Sequence, residues 1–377
     1  MILLVKNEDQ PQTVFSARPI FFVHEQTGET TTTLLFSINN EQTKTIENIR
    51  NIDLKETSAS LRKYAGLLHL NINSNKKSKA EKTESDKLYY EFAKHSAKLY
   101  RLVFGKNKEL ADYIISLSKK PSKLVVASNQ FGIPFELINV SEKESFNEVE
   151  LFADYFFISR IYPKKSLGIN TAILKRINLS YAYHPKLEGT KKELAFFERS
   201  DDDDSLKFKL VRKIEGGLKE LFEFTNGDSI DFVHLSCHLE TEEEDPSDSY
   251  LDFESFEIKL SDFEFISEHN TWKNKILFVN SCDSGTPQYL RKSNMASYFF
   301  ETGIDLLICV GIKIYDDFAG DYTERLYNNL LNFKKPITIQ EVIYLTSNFY
   351  WKTQKNPLGF FYFSIGSTKT FSLNGKG

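Results

Sequence analysis

ILFVNSCDSGTP, residues 276–287, is an apolar run that ends on a cysteine, an aspartate and a glycine. Four apolar residues with β-branched and aromatic members read as a short buried strand. The strand delivers Cys282 at its carboxyl end, and Gly285 permits a sharp turn. Thr286 and Pro287 then read as the N-cap and first residue of a helix. FVHLSCHLE (232–240) has the same form: a strand ending near Ser236, with His238 on the exit loop.

Working outward, KLVVAS (123–128), LSYAY (179–183) and DLLICVGI (305–312) are further short buried runs. Between and after them, KLYYEFAKHSAKLYRLVF (87–104), FAGDYTERLYNNLLNF (318–333) and TIQEVIYLTSNFYW (338–351) carry apolar residues at helical spacing. Thr190-Lys-Lys-Glu193 reads as a capping box opening another helix, and GFFYFSIG (359–366) closes as a strand. This alternation predicts an α/β fold with a largely parallel sheet. Ligand sites in such sheets lie beyond the carboxyl ends of strands, where His238 and Cys282 fall. The first 75 or so residues differ: PIFFVHEQTGETTTTLLFSI (19–38) reads as strand, turn at Gly28, strand. NSNKKSKAEKTESDK (73–87) reads as a solvated linker or helix entry and suggests a domain boundary.

A length of 377 residues suggests two or three domains or subdomains. Hydrophobic residues at 41% and charged residues at 27% are globular values, and a net charge of −4 gives no general basic surface for direct nucleic-acid binding. MILLVKNEDQ is too short in its apolar part for a signal-peptide core, and no apolar stretch approaches a membrane span. Cys237, Cys282 and Cys309 form neither a disulfide framework nor a CxxC pair. These features predict a cytoplasmic protein with free thiols and no membrane association.

A cysteine just before a helix N-terminus is favoured as thiolate by the macrodipole and free N–H groups. A histidine from the neighbouring strand could take the thiol proton and later protonate a leaving amine. Nearby backbone N–H groups could hold the oxyanion. The interval from His238 to Cys282 is close to the roughly 50-residue His-to-Cys spacing of caspases, although the caspase signature around the cysteine is absent. The bland alternatives are an inert buried thiol and a satisfied loop histidine. A zinc site from His234, His238 and Cys282 is a third alternative, unsupported by any short-range Cys/His pair. His234 lies within its strand, as a hydrogen-bonded core residue or a support behind the site. Cys237 and Cys309 read as packing.

FVHLSCHLE resembles the histidine motif of CHAT-domain peptidases, the caspase-like and separase-related group, and ILFVNSCDSGTP resembles their cysteine motif. ASNQFGIPFELI (127–138), LSYAYHPKLEGTKKELAFF (179–197), SYLDFESFEIKLSDFEF (249–265) and ETGIDLLICVGIKIYDDFAGDYTERLYNNLL (301–331) resemble further segments of that family in order. The match covers roughly residues 85–366. Two departures stand out: Cys237 and Leu239 replace the glycines usual beside the histidine, and Lys313 stands near an expected tryptophan.

The resemblance implies a caspase-like three-layer fold: a mostly parallel central sheet flanked by helices, plus a small β-rich N-terminal region over 1–84. It implies a non-catalytic half at 85–170 and a catalytic half at 171–377. By position, Cys282 is the nucleophile and His238 the base, with no cofactor implied. Asp283, Asp316 and Asp317 are candidates for a pocket receiving Arg or Lys, and the acidic run ETEEEDPSD (240–248) would lie near the cleft mouth or be a solvated loop. DDDD (201–204) reads as an exposed loop, with a processing site as the alternative.

The implied activity is a cysteine endopeptidase acting on one protein substrate, a gasdermin-like or CRISPR-associated effector, in bacterial anti-phage or cell-death systems. The alternatives are an inactive interaction module and a protease latent until a partner or nucleotide signal binds. An activating protein partner would then act through the N-terminal region.

Overall fold

The computed structural model describes residues 20–38, 42–73, 79–105, 107–117, 121–128, 132–141, 149–161, 176–203, 207–225, 230–242, 248–263, 272–273, 275–282, 284 and 295–371. Three strands come first: β1 (Ile20–Thr27), β2 (Thr31–Ile38) and β3 (Gln42–Arg50). Helices α1 (Asn51–Asn73), α2 (Lys79–Phe104) and α3 (Lys108–Leu117) follow, then β4 (Ser122–Ser128), β5 (Phe156–Ile161) and β6 (Ile177–Tyr183). Next come α4 (Glu188–Asp201), β7 (Phe208–Ile214), α5 (Leu218–Thr225), β8 (Phe232–Ser236), β9 (His238–Glu240), β10 (Tyr250–Asp252), β11 (Glu257–Lys259) and β12 (Ile276–Asn280). The chain continues through α6 (Met295–Glu301), β13 (Leu306–Val310), α7 (Asp316–Asn332), β14 (Ile337–Thr338), α8 (Ile339–Gln354), β15 (Tyr362–Gly366) and β16 (Thr370–Phe371).

Eleven strands form one sheet in the order β3-β2-β1-β4-β5-β15-β13-β12-β8-β6-β7. From β1 outward it is parallel except where β15 meets β13. β8, β12 and β13 are buried along their whole length, which is why they read as continuous apolar runs rather than alternating ones. Alternate residues feed two cores on opposite faces. Phe232, Ile276, Phe278 and Ile308 pack with Phe197 of α4 and Tyr327 of α7. Val233, Leu235, Leu277, Val279 and Leu307 pack with Phe299 of α6 and Trp272. The result is three layers, helix–sheet–helix, as the alternation of strands and helices predicts.

The N-terminal strands belong to this sheet. β1 and β2 form the expected hairpin, whose turn is closed by the Gly28 N–H donating to the Thr31 carbonyl at 2.9 Å. β1 then pairs in parallel with β4, so no break in the sheet marks a boundary near residue 84. Residues 79–87 are the opening turns of α2, the helix-entry alternative for that lysine-rich stretch. The hairpin expected at 249–265 is present as β10–β11, which β9 extends to three strands.

The capping box expected at Thr190–Glu193 does not form. Helix α4 starts earlier, at Glu188 after Leu187, and the Thr190 hydroxyl donates to the carbonyls of His184 and Leu187. Glu193 turns into the core instead, because its position on α4 faces the sheet and two strands there offer it donors. A true capping box opens α8, where Thr338 and Glu341 exchange bonds in both directions.

Helices α4 and α7 approach until their backbones touch at Gly189 and Gly320. A Cβ on Gly320 would stand 2.7 Å from the Gly189 carbonyl oxygen and 2.9 Å from its Cα. Neither obstacle is a flexible side-chain end, so relief requires the helices to separate. Gly320→Ala is expected to cost about 1–3 kcal/mol from overpacking, read as a lower urea midpoint at unchanged m-value.

Candidate active site

β8 and β12 run parallel and in register, from Phe232 opposite Ile276 to Ser236 opposite Asn280. His238 and Cys282 each follow the last paired residue by two positions. Equal offsets from one ladder rung bring the two exits out side by side at the carboxyl edge of the sheet. His238 is exposed, and it opens β9, where it stands opposite Asp252 of β10. Its neighbour Leu239 stands opposite the buried Leu251, and Cys237 is buried in the apolar layer beneath. The two residues that replace glycine are thus the packing that holds the His238 backbone. Burial pushes the Cys237 thiol well above its usual range, so it stays protonated. Cys309 is buried in the same layer and its thiol is pushed up for the same reason.

The His238 ring meets the His184 ring edge-on, with centroids 5.1 Å apart. His184 is the first residue after β6, and its N–H donates to the Ser236 carbonyl at 2.8 Å, binding the β6 exit to the β8 exit. The Lys186 N–H donates to His184 Nδ1 at 3.3 Å, so a neutral His184 carries its proton on Nε2. Cys282 is half-buried, and its thiol donates to the Ile314 carbonyl at 3.4 Å.

Ile314 lies in the loop between β13 and α7. The next residue, Tyr315, stacks on His69 of α1 with ring centroids 5.0 Å apart. His69 is buried; its Nδ1 lies 3.1 Å from the Asn356 amide nitrogen and its Nε2 lies 3.4 Å from Asp317 Oδ1. Burial lowers the His69 pKa, and the Asp317 carboxylate opposes that shift. Asp316 accepts the Glu188 and Gly189 N–H groups at 2.6 and 2.9 Å, so it caps the N-terminus of α4 from α7. Asp283, Gly285, Thr286 and Pro287 lie outside the described residues, as does the run 243–247.

Directly behind the two exits is a buried polar layer. Glu193 accepts from the Tyr181 hydroxyl and from the Asn280 amide, each at 2.6 Å. Asn280 Nδ2 also donates to Thr323 at 3.0 Å, and Asn280 Oδ1 accepts from Tyr362 at 2.9 Å. Burial pushes the Glu193 carboxyl up to about 7, opposed by the hydroxyls of Tyr181, Thr323 and Ser236 and the Asn280 amide. His234 lies 3.8 Å from the same carboxyl and 3.4 Å from the Tyr327 hydroxyl. Burial drives His234 down to about 3, so the imidazole stays uncharged beside the carboxyl and the two do not form an ion pair. Among the described residues no group of three or more His, Cys, Asp or Glu has the arrangement of a metal site. His234 is held in the core against Phe278, with centroids 4.4 Å apart.

A family model described as the CHAT domain matches residues 59–339. The chain belongs to the CHAT family. Its fold is similar to chains of two crystal structures of the Saccharomyces cerevisiae separase–securin complex, at TM-scores of 0.52 and 0.54 with 9% and 10% sequence identity. Those likenesses cover 94% and 95% of this chain but 30% of each solved chain. No curated protein matches the sequence. The CHAT match and the separase-like architecture together give the chain a caspase-like α/β fold. No helix among the described residues is long and apolar enough to cross a membrane.

The sequence reading of this CHAT chain missed His184, Glu193 and Asn280. The signal for His184 was its place one residue after a strand neighbouring β8. Asn280 ends an apolar strand, and Glu193 recurs with Thr190, Phe196 and Phe197 on the buried side of α4. His234 supplies a measurable consequence. An unfolded histidine gains a proton below its ordinary value of 6.5, whereas the folded one resists to about 3. His234 therefore contributes full stability above 6.5 and loses it as pH falls toward 3, by up to about 1.4 kcal/mol per pH unit. The stability difference between wild type and His234→Phe, from urea melts at pH 7.5, 6 and 5, should shift steadily toward the variant on acidification.

Proposed function

We propose that the chain is a cysteine endopeptidase with Cys282 as nucleophile and His238 as general base. The observation that carries this reading is the common exit of β8 and β12, equal in register, with an exposed imidazole and a half-buried thiol at its two tips. His238 takes the proton from Cys282 Sγ, and the thiolate attacks the scissile carbonyl. The tetrahedral intermediate collapses as His238 protonates the leaving amine, and water activated by His238 then hydrolyses the thioester. Backbone N–H groups around Cys282 and after His238 are the candidates to hold the oxyanion. His184, edge-on to His238, limits where that imidazole can turn.

The substrate is one chosen protein, a gasdermin-like or CRISPR-associated effector, in a cytoplasmic bacterial anti-phage or cell-death setting; CHAT membership is the support for this setting. The proposed preference for Arg or Lys rests on Asp283, Asp316 and Asp317, of which Asp316 accepts two backbone N–H groups and Asp317 lies beside His69. The reading is tested by incubating wild type and variants with the protein products of neighbouring genes and mapping cuts by mass spectrometry. Cys282→Ala should abolish cleavage, and His238→Ala should slow it about 10²–10⁴-fold. Equal behaviour of wild type and Cys282→Ala would instead favour an inactive interaction module.

One contact favours a second reading, a protease held latent. The Cys282 thiol donates to the Ile314 carbonyl, a bond that deprotonation of the nucleophile has to break. The adjoining Tyr315 is clamped by His69 of α1, so a partner that moves the N-terminal helices would free the nucleophile. His69→Ala should then raise basal alkylation of Cys282 by iodoacetamide several-fold; an unchanged rate at unchanged melting temperature would refute the clamp.

A further inference from the structure

We propose that Glu193 is a positioning residue that sets both the placement and the ionisation of Cys282 through its charge state. The inference rests on the dyad reading for its catalytic consequence, whereas the control of the thiol needs no substrate and no peptidase activity. Glu193 touches neither His238 nor Cys282. Its carboxyl grips Asn280, two residues before Cys282, through a 2.6 Å bond, and lies 3.8 Å from His234 on the strand that leads to His238. Tyr181 of β6 fixes the other oxygen at 2.6 Å. One side chain from α4 thus ties β6 to β12 and packs against β8 between them.

The same carboxyl is the main variable charge in this layer. Facing it are Tyr181 from β6, His234 from β8, Tyr327 from α7 and Tyr362 from β15, with Cys237 and Cys282 beyond the strand ends. The phenols and Cys237 are held protonated by burial, and His234 is held neutral. No cation among these groups neutralises the carboxylate. The Glu193 proton consequently leaves within the range in which a thiol–imidazole pair works. Loss of that proton places a negative charge two residues behind Cys282, in an interior that screens poorly, and this opposes thiolate formation. Neutral Glu193 gives a more acidic thiol, and ionised Glu193 a less acidic one.

Glu193→Gln separates charge from grip. A glutamine can accept from Asn280 through its oxygen and donate through its amide to the Tyr181 hydroxyl, so the lock persists with the charge fixed at zero. The test is the pH dependence of Cys282 alkylation by iodoacetamide on the full chain, with the modified site counted by mass spectrometry. Wild type should show a two-step profile, with one step near neutrality. Glu193→Gln should show one step, displaced about one pH unit lower, with alkylation several-fold faster just above neutrality. Superimposable profiles, or a uniform change at every pH without displacement, would overturn the proposal.

Tyr181→Phe is the independent check should Glu193→Gln fold poorly. It removes a bond that favours the ionised carboxyl, so the step near neutrality should move to higher pH; an unmoved step overturns the proposal. Alkylation reads the thiol without any substrate. A Glu193→Gln displacement in a chain that cleaves nothing would therefore support this role for Glu193 while removing the peptidase reading.

Discussion

A carboxyl with no access to water is tolerable only when donors surround it, and the layer behind the strand exits is built to that requirement. Glu193 draws a phenol from β6 and an amide from β12 into one cluster, with the His234 imidazole of β8 beside them, and α7 adds Thr323. Because these groups come from separate elements, the cluster forms only when α4 has docked and the strands are in their final register. A one-residue slip of β12 would carry Asn280 to the opposite face and leave the carboxyl without its amide donor. The polar layer therefore favours the one register in which His238 and Cys282 emerge side by side.

The second constraint is β15, made late in the chain yet seated at the centre of the sheet. It runs parallel to β5 and antiparallel to β13, so the strands on its two sides run in opposite directions. Two buried contacts join the halves across it. The Tyr362 ring stacks on Tyr322 of α7 with centroids 3.7 Å apart, and its hydroxyl reaches Asn280. Arg160 of β5 lies 4.5 Å above the Phe363 ring while making a two-pronged bond to Glu136 at 2.6 and 2.7 Å. The edge that holds the candidate dyad thus depends on a strand closed far downstream in sequence.

Local patterns carried most of the architecture. The runs at 123–128, 179–183, 232–236, 276–280 and 306–310 became the strands expected of them, and that at 359–366 did so from Tyr362 onward, because short, mostly apolar runs between turn signals bury both faces most readily inside a sheet. The hairpin at 20–38 was equally legible, from Gly28 and the flanking alternation. Thr190–Glu193 was misread because its spacing fits a capping box, and spacing cannot say whether a glutamate looks back along its helix or down into a sheet. Asp316 shows the same limit: its acidic character was visible, but its two partner amides are distant in sequence.

By itself the sequence determined the alternation of elements, the layered α/β class and the two strand ends that carry a histidine and a thiol. These follow from periodicity and turn chemistry, which act over a few residues. Only the tertiary structure decided the strand order, the insertion of β15, the union of the N-terminal hairpin with the main sheet and the burial of Glu193 between three strands. It also set His184 against His238, and the Ile314 carbonyl against the Cys282 thiol. Those pairings join residues that share no local pattern, and they are selected by which docking satisfies the buried donors and acceptors together.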